Sequence, residues 1–518
     1  MHKGGTGMDS FQLFITAAEA YPALERAFLA ARIRISASFL VFDPDTALRS
    51  AEGLAVGRTW LDLIRHCLAK GVQITFVISD FDPIARAQMH RATWRSLRQM
   101  IAAAEMAGAG HLLTIRAARH PAVSGWIPRL IISPVIMMKL WKTARWLNRL
   151  PPDLRATALR DMPGVARRMR ALAGGRVRPR LWPVPRLFPG THHQKLAVFD
   201  GQSLYIGGLD LNERRYDDAR HQRPADETWH DVQVLVSGPV AADAQRHLDS
   251  FLEITSGQMP PAGTGNLIVT LSRAQRNPAV PFGPKPLVQG IYDAHVSAIQ
   301  RARGLIYMES QYFRDEHLTR ALCRAAKAQP TLALILILPG APEELAFEGR
   351  DGLDSQMGEW HQARCLRHLR RAFGARLFIG GAAQRRRMRD RVRGKRDHLA
   401  QAPLIYIHAK VSCFEDVAII SSANLNGRSM RWDTEAGVLL DDPLTVAHVR
   451  RRCMAHWLPP LADESFFDPA TAVAQWRGLA LSNAARAPER RQGFVVPYDL
   501  RAAERFGRPV PFLPQEMV

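Results

Sequence analysis

From Tyr21 the chain reads as an amphipathic helix that ends in the pair Ala31-Arg32 and gives way to a β-branched and aromatic run over residues 33–42. The same order returns far downstream, with a helix from Ile291, the pair Ala302-Arg303 and a strand-like run over 305–313. Each half then repeats a helix-and-strand step. Residues 60–69 read as a helix that Gly71 stops, with a strand over 72–79, and in the second half a helix over 318–328 precedes a strand over 332–338. The strands are unbroken apolar runs, as strands covered on both faces are. The pattern predicts an α/β protein of two pseudo-symmetric halves, each of α-β-α layers around a largely buried sheet.

Each half next carries His-x-Lys followed by two strand-like runs and a Gly/Ser-rich turn. In the first half the segment is HHQKLAVFDGQSLYIGGLDLN, with His193 and Lys195; in the second it is IHAKVSCFEDVAIISSANLN, with His408 and Lys410. Alternate residues of a strand share a face, so each histidine points the same way as its lysine. If the halves pack about a pseudo-twofold, two imidazoles and two ammoniums meet in one pocket suited to a phosphate group. The lysines supply compact positive charge to phosphoryl oxygens. One imidazole can attack phosphorus while the other protonates the leaving oxygen. This chemistry needs neither metal nor cofactor, and no His, Asp or Glu cluster in the sequence has metal-ligand spacing, so none is expected.

Composition narrows the class. Of 518 residues, 47% are hydrophobic and 23% charged, which suits a folded globular protein and excludes a disordered or fibrous one. The net charge of +22 favours an anionic partner. The longest apolar stretches, such as 329–342, fall short of the ~20 residues of a spanning helix. The first residues lack the apolar core of a signal peptide, and Met8 is an equally good start. The expectation is a monomeric cytoplasmic protein bound peripherally to membranes, with signal-independent export as the alternative. The five cysteines lack metal or redox spacing and are expected reduced and mostly buried.

The halves differ in length. Residues 1–280 form the first, with an insertion over about 85–189; residues 281–484 form the second, after a Pro-rich linker at 281–286; residues 485–518 read as an extended tail. Between Arg129 and Arg186 there are 14 basic residues and two acidic ones. Within that stretch, Ser133 reads as an N-cap with Pro134 at the first helical position. The helix that follows places Lys139, Lys142, Arg145 and Arg149 on one face and Val135, Ile136, Leu140, Ala144 and Leu147 on the other, with Trp126, Trp141 and Trp146 beside them. A basic amphipathic helix with tryptophans suits an anionic membrane surface; the alternative is packing against its own domain. A second basic run, 385–396, precedes the second motif and reads as a rim that attracts anionic headgroups, or as a solvated loop.

Together these segments resemble the phospholipase D superfamily, most closely the eukaryotic-type phospholipases D and phosphatidyltransferase-like enzymes. The resemblance rests on His193-x-Lys195-x4-Asp200-x6-Gly207-Gly208, on GGLDLNERRYDD, on ETWHDVQVLVSGP, on YMESQYF and on SSANLNGRSMRWDTEAGV. The departures are Glu415 in place of Asp, with the turn after it one residue short, Ser421 in place of Gly, and Ser310 in place of Asn. The resemblance implies two domains with mixed sheets and an active site between them. It implies His193 as nucleophile and His408 as acid and then base. Lys195, Lys410, Asn424 and Ser422 would bind the phosphoryl group, and Asp231 and Glu435 would orient the histidines. Asp200, Glu415, Gly207 and Gly208 would shape the motifs, and Asp210 would be structural. The substrate implied is a glycerophospholipid, hydrolysed at its headgroup or transferred to an alcohol. The rivals are a cardiolipin synthase-like phosphatidyltransferase, a metal-independent nuclease, disfavoured by the lipase-like segments so that nucleic acid is not the expected partner, and a non-catalytic membrane-binding protein with a relict site.

Overall fold

The computed structural model describes residues 8–277, 279–388, 396–511 and 513–518. The basic run at 385–396 lies largely outside the described residues. The first sheet is built from β1 (Ser10–Ile15), β2 (Arg34–Phe39), β3 (Gln73–Ser79), β4 (Leu113–Ala118), β5 (Leu196–Phe199), β6 (Ser203–Gly207) and β7 (Val232–Ser237). Its order is β1-β7-β6-β5-β2-β3-β4. The second sheet contains β8 (Leu267–Arg273), β9 (Lys285–Gln289), β10 (Leu305–Ser310), β11 (Ala333–Ile337), β12 (Leu377–Ala382), β13 (Lys410–Cys413), β14 (Ala418–Ser421), β15 (Glu435–Leu440) and β16 (Val495–Pro497). Its order is β9-β8-β15-β14-β13-β10-β11-β12-β16.

Read from β1 and from β8, the two orders match strand for strand over seven positions. In each, three parallel strands adjoin an antiparallel ladder. The sheets are therefore mixed and the repeat is structural. Its junctions match as well. Helix α1 (Ala17–Ala30) ends at Ala31 with φ −61° and ψ 137°, and the later helix Gly290–Arg301 ends at Ala302 with φ −59° and ψ 137°. Helix α2 (Trp60–Ala69) starts at a capping box of Thr59 and Asp62, and its predicted stop, Gly71, has φ +88°.

The structure differs from the sequence expectation in four places. Helix α3 (Ala87–Met106) and β4 form a third helix-and-strand step, the counterpart of α8 (Leu353–Phe373) and β12, rather than part of an insertion. The added material therefore begins after β4. Strand β8 already belongs to the second sheet, so the changeover precedes the Pro-rich 281–286, part of which is strand β9. The tail is no simple strap, because β16 pairs antiparallel with β12 and extends the second sheet. Finally, helix α4 runs from Trp126 to Arg149 straight through Pro134. Proline removes the N–H that would meet the Leu130 carbonyl, and the Ser133 hydroxyl donates to that carbonyl at 2.7 Å instead. Ser133 thus repairs the middle of a helix rather than capping its start.

One apolar cluster joins the sheets. Leu196, Ile206, Val232 and Val234 of the first half lie in it with Ile407, Val411, Ile420 and Val438 of the second, all under 2% exposed. This shared core presses the two His-x-Lys motifs together. All five cysteines are unpaired, and four are buried.

Candidate active site between the two sheets

The two motifs meet through paired backbone bridges. The His193 and Gln194 N–H groups donate to the Thr434 carbonyl at 2.8 and 2.9 Å. Across the pocket, His230 N–H donates to the Tyr406 carbonyl and His408 N–H to the His230 carbonyl, both at 2.8 Å. Each bridge carries a carboxylate one residue further on, at Glu435 and Asp231.

Each carboxylate therefore serves the histidine of the opposite half. His193 Nδ1 lies 2.9 and 3.1 Å from the two oxygens of Glu435. His408 Nδ1 lies 2.6 Å from Asp231 Oδ2. Such contacts fix the proton on Nδ1 and leave Nε2 free for chemistry. The His193 side chain is 15% exposed and that of His408 5%, so the first ring is the more open to an incoming group. Trp229 walls His408, with ring centroids 4.7 Å apart.

Both lysines are buried beside their histidines. Lys195 donates to the His193 carbonyl and Lys410 to that of His408. Asp210, expected to be merely structural, is the buried counter-ion of Lys195 at 3.7 Å and also pairs with Arg215. Arg215 was not anticipated from the sequence. A carboxylate where the second half has Asn424 signals the need for an added cation, and Arg215, five residues on, provides it.

The motif residues divide by what they touch. Asp200 accepts the N–H groups of Arg32, Ile33 and Arg34 at 2.8–3.0 Å. Glu415 accepts the matching pair, Arg303 and Gly304. Its extra methylene reaches from the shorter turn to the same anchor. A Cβ on Gly207 would collide with Gln233, and one on Gly208 with the Asp231 carboxylate, so glycine is required for close strand packing. Ser422, expected at the phosphoryl group, instead donates to Glu435, while its Oγ accepts the Ala436 N–H at 3.1 Å. Asn424 donates to Gln311 at 3.2 Å, and its buried Oδ1 has no partner. Ser310 Oγ donates to the Tyr312 carbonyl at 2.6 Å and accepts the Leu425 N–H at 3.3 Å, so it ties its loop to the second motif.

Burial sets the proton balance. It pushes Glu435 up to about 7 and Asp231 up to about 6, against the pull of the lysines. It brings Lys410 down to about 7, against the attraction of Asp231. Burial, reinforced by Lys195 at His193 and by Lys410 at His408, holds both imidazoles well below the usual range, on the neutral side. Asp210 stays below the ordinary carboxylate value because Lys195 and Arg215 outweigh its burial. The signs give a pH profile. As pH falls through 7 and 6, Glu435 and then Asp231 take up protons and cease to hold the histidines as carboxylates. As pH rises through about 7, Lys410 loses the charge that attracts phosphate. We expect kcat/KM on a soluble phosphodiester to peak near neutrality and fall on both sides. A flat profile between pH 6 and 9 would remove these groups from control of the reaction.

Comparison with known proteins gives the following likenesses. Residues 296–457 match the family model described as "Cardiolipin synthase, PLD-like domain". Together with the similarities below, this marks the chain as similar to the phospholipase D superfamily. Its relatives include phospholipase D1 of Schizosaccharomyces pombe, 25% identical over 348 residues that span 49% of this chain and 25% of that protein. Phospholipase D alpha 1 of Carica papaya is 28% identical over 24% of each chain. Phospholipase D2 of Bos taurus is 22% identical over 49% of this chain and 38% of its own. The chain thus matches well under half the length of each. Among solved structures, phosphatidylserine synthase from Haemophilus influenzae Rd KW20 shares the fold with a TM-score of 0.50 at 12% identity, covering 93% of this chain and 95% of that one.

Proposed function

We propose that the chain is a phospholipase D-type phosphodiesterase acting on glycerophospholipids. His193 attacks phosphorus, a nitrogen–phosphorus bond forms, and the bond from phosphorus to the headgroup oxygen breaks. His408 supplies the proton to that oxygen and then removes one from the water or alcohol that releases phosphatidyl from His193. Lys195 and Lys410 hold the phosphoryl oxygens, and Arg215 adds to the positive field. The observation that carries the reading is the crossed pairing of His193 with Glu435 and of His408 with Asp231, beside two buried lysines. Transfer to an alcohol is the second reading, favoured by the cardiolipin synthase description of the matching family. A panel of defined phospholipids, with and without a primary alcohol, tests both. Phosphatidic acid alone marks the hydrolase, and a phosphatidyl-alcohol marks the transferase. Turnover of oligonucleotides without turnover of any lipid overturns the proposal.

Helix α4 supplies the means of reaching lipid, though by a different face from the one the sequence suggested. Ile136, Leu140, Ala144 and Leu147 are buried against Met162, Val165 and Val177. A second apolar stripe faces outward, with Trp126 50%, Ile131 65%, Met138 49% and Trp141 38% exposed. Lys142, Arg145 and Arg149 continue that stripe toward the helix end. None of the helices among the described residues is long and apolar enough to cross a membrane. An apolar stripe running into basic residues suits a helix lying in the interface of an anionic bilayer. Ile131→Gln combined with Trp141→Gln is expected to weaken binding to anionic vesicles by about 10- to 100-fold, from the apolar area withheld. Turnover of a soluble short-chain lipid should stay within about twofold, since neither residue belongs to the His-x-Lys motifs or their carboxylates. Unchanged vesicle sedimentation would rule this stripe out as the membrane contact.

A further inference from the structure

Behind the catalytic pocket lies a second group of histidines that the proposed chemistry does not use. His221, His230 and His456 come from a loop, from the approach to β7 and from the last turn of the helix Pro443–Trp457. One ring nitrogen from each lies within 4.8 Å of the others. No local spacing could reveal this group, because 235 positions separate His221 from His456.

The hydrogen bonds show which nitrogens are free. His221 Nδ1 lies 2.7 Å from Asp217 Oδ2, so its Nε2 is the nitrogen turned to the group. That Nε2 stands 2.9 Å from His456 Nε2. His230 Nε2 lies 2.6 Å from Glu309 Oε2. Its Nδ1 is buried without a hydrogen-bond partner, which is costly for a neutral ring unless something else takes the lone pair. Asp217 thus holds the far nitrogen of His221, the arrangement that orients histidine toward a metal and raises its basicity, and Glu309 holds one nitrogen of His230. Glu309 is itself held by Tyr307 at 2.6 Å and by the Trp457 indole at 3.1 Å.

The spacing also fits. Imidazole nitrogens at the usual zinc distance and a tetrahedral angle lie about 3.3 Å apart, with ring centroids roughly 5 Å apart. Here the centroids are 4.7, 5.1 and 6.1 Å apart. His221 has φ +50°, a left-handed conformation unusual for histidine that aims its ring at the other two. Burial, with the mutual influence of the rings, keeps His230 and His456 in the neutral form that ligates. The neighbouring Arg452 is engaged by Glu19 at 2.6 and 2.8 Å, so its charge is compensated.

We propose that His221, His230 and His456 form a binding site for one divalent transition-metal ion of the zinc type, with its remaining position on the side of the half-buried His456. The donor set is all imidazole, which suits zinc and its transition-metal neighbours rather than calcium or magnesium. The site is separate from the catalytic pocket but mechanically joined to it. The His230 carbonyl accepts the His408 N–H, and the next residue, Asp231, holds the His408 ring. An ion here clamps the segment that positions the general acid. The inference stands whether or not the substrate is a lipid.

The test uses the full chain without an affinity tag, stripped by a chelator and titrated with Co2+. One equivalent should bind with the visible ligand-field bands of a low-coordinate histidine site, and Zn2+ should displace it and raise the melting temperature. His456→Ala should weaken binding by about 100-fold or more and abolish the bands. If that variant fails to melt cooperatively in chelator, His456→Gln replaces it. The double variant His193→Asn/His408→Asn should retain the bands, which separates this site from adventitious binding in the catalytic pocket. Absence of binding by the unaltered chain, bands that survive loss of the His456 imidazole, or bands lost in the catalytic double variant would each overturn the proposal.

Discussion

His408→Asn, given an activated short-chain substrate whose leaving group needs no proton, is expected to accumulate a phosphohistidine on His193 while steady-state turnover falls by about 10^4-fold or more. The two steps make different demands. Formation of the adduct needs the His193 nucleophile, the lysines and a departing group. Its breakdown needs a base to deprotonate water, and His408 is the ring placed for that by Asp231. His193→Asn should show neither adduct nor turnover. Acid-labile phosphate, mapped by mass spectrometry of quenched enzyme, reads the outcome. An adduct on His408 in the His193 variant would reverse the two roles. Full activity in the His408 variant would remove the second half from the chemistry altogether.

Glu435→Gln is expected to cost about 10^3- to 10^4-fold in kcat with the fold preserved. Its carboxylate holds His193 Nδ1 and is itself held by Ser422. An amide of the same shape can present N–H to the ring and stabilise the wrong tautomer, with the nucleophilic nitrogen protonated. Because the carboxylate is buried and pushed up to about 7, replacing it with a neutral amide also relieves a desolvation cost. The variant should therefore melt no lower than the unaltered chain, most clearly above pH 7. The sign follows from the raised value: Glu435 contributes stability below its unfolded pKa that is lost as pH rises through about 7. Asp231→Asn should behave likewise at His408. A Glu435→Gln variant with normal kcat would mean that the carboxylate is only packing.

Much of this was readable from the chain because it is local. His193 and Lys195, or His408 and Lys410, are fixed relative to each other by strand alternation alone, and the repeated Ala-Arg junctions mark the two halves. The partners of those residues are not local. Asp231 and Glu435 were reached through resemblance, and only the fold shows that they cross from one half to the other. Helix α3 is hard to read from the chain because its buried positions include His90, Thr93 and Ser96, which blur the apolar stripe. The start of α4 was misplaced because Pro134 looks like a first-turn residue until the Ser133 bond to Leu130 is seen. The resemblance places Ser422 at phosphate, whereas its nearest acceptor, Glu435, lies thirteen residues on and is visible only in the fold.

The crossed pairing has a consequence for how the two halves can change over time. In a symmetric pair of identical subunits, any substitution falls on both copies, so the two histidines must remain equivalent. Joining the copies in one chain lifts that constraint. Glu415 and Ser421 stand in one motif where Asp200 and Gly207 stand in the other, and Asp210, paired with Arg215, occupies the position that Asn424 holds in the second half. Yet neither half can drift alone, because each keeps the other's histidine in register. Covalent fusion thus permits a division of labour, with the more open ring free to specialise in attack and the more enclosed one in proton transfer, while mutual dependence bars either half from a separate existence.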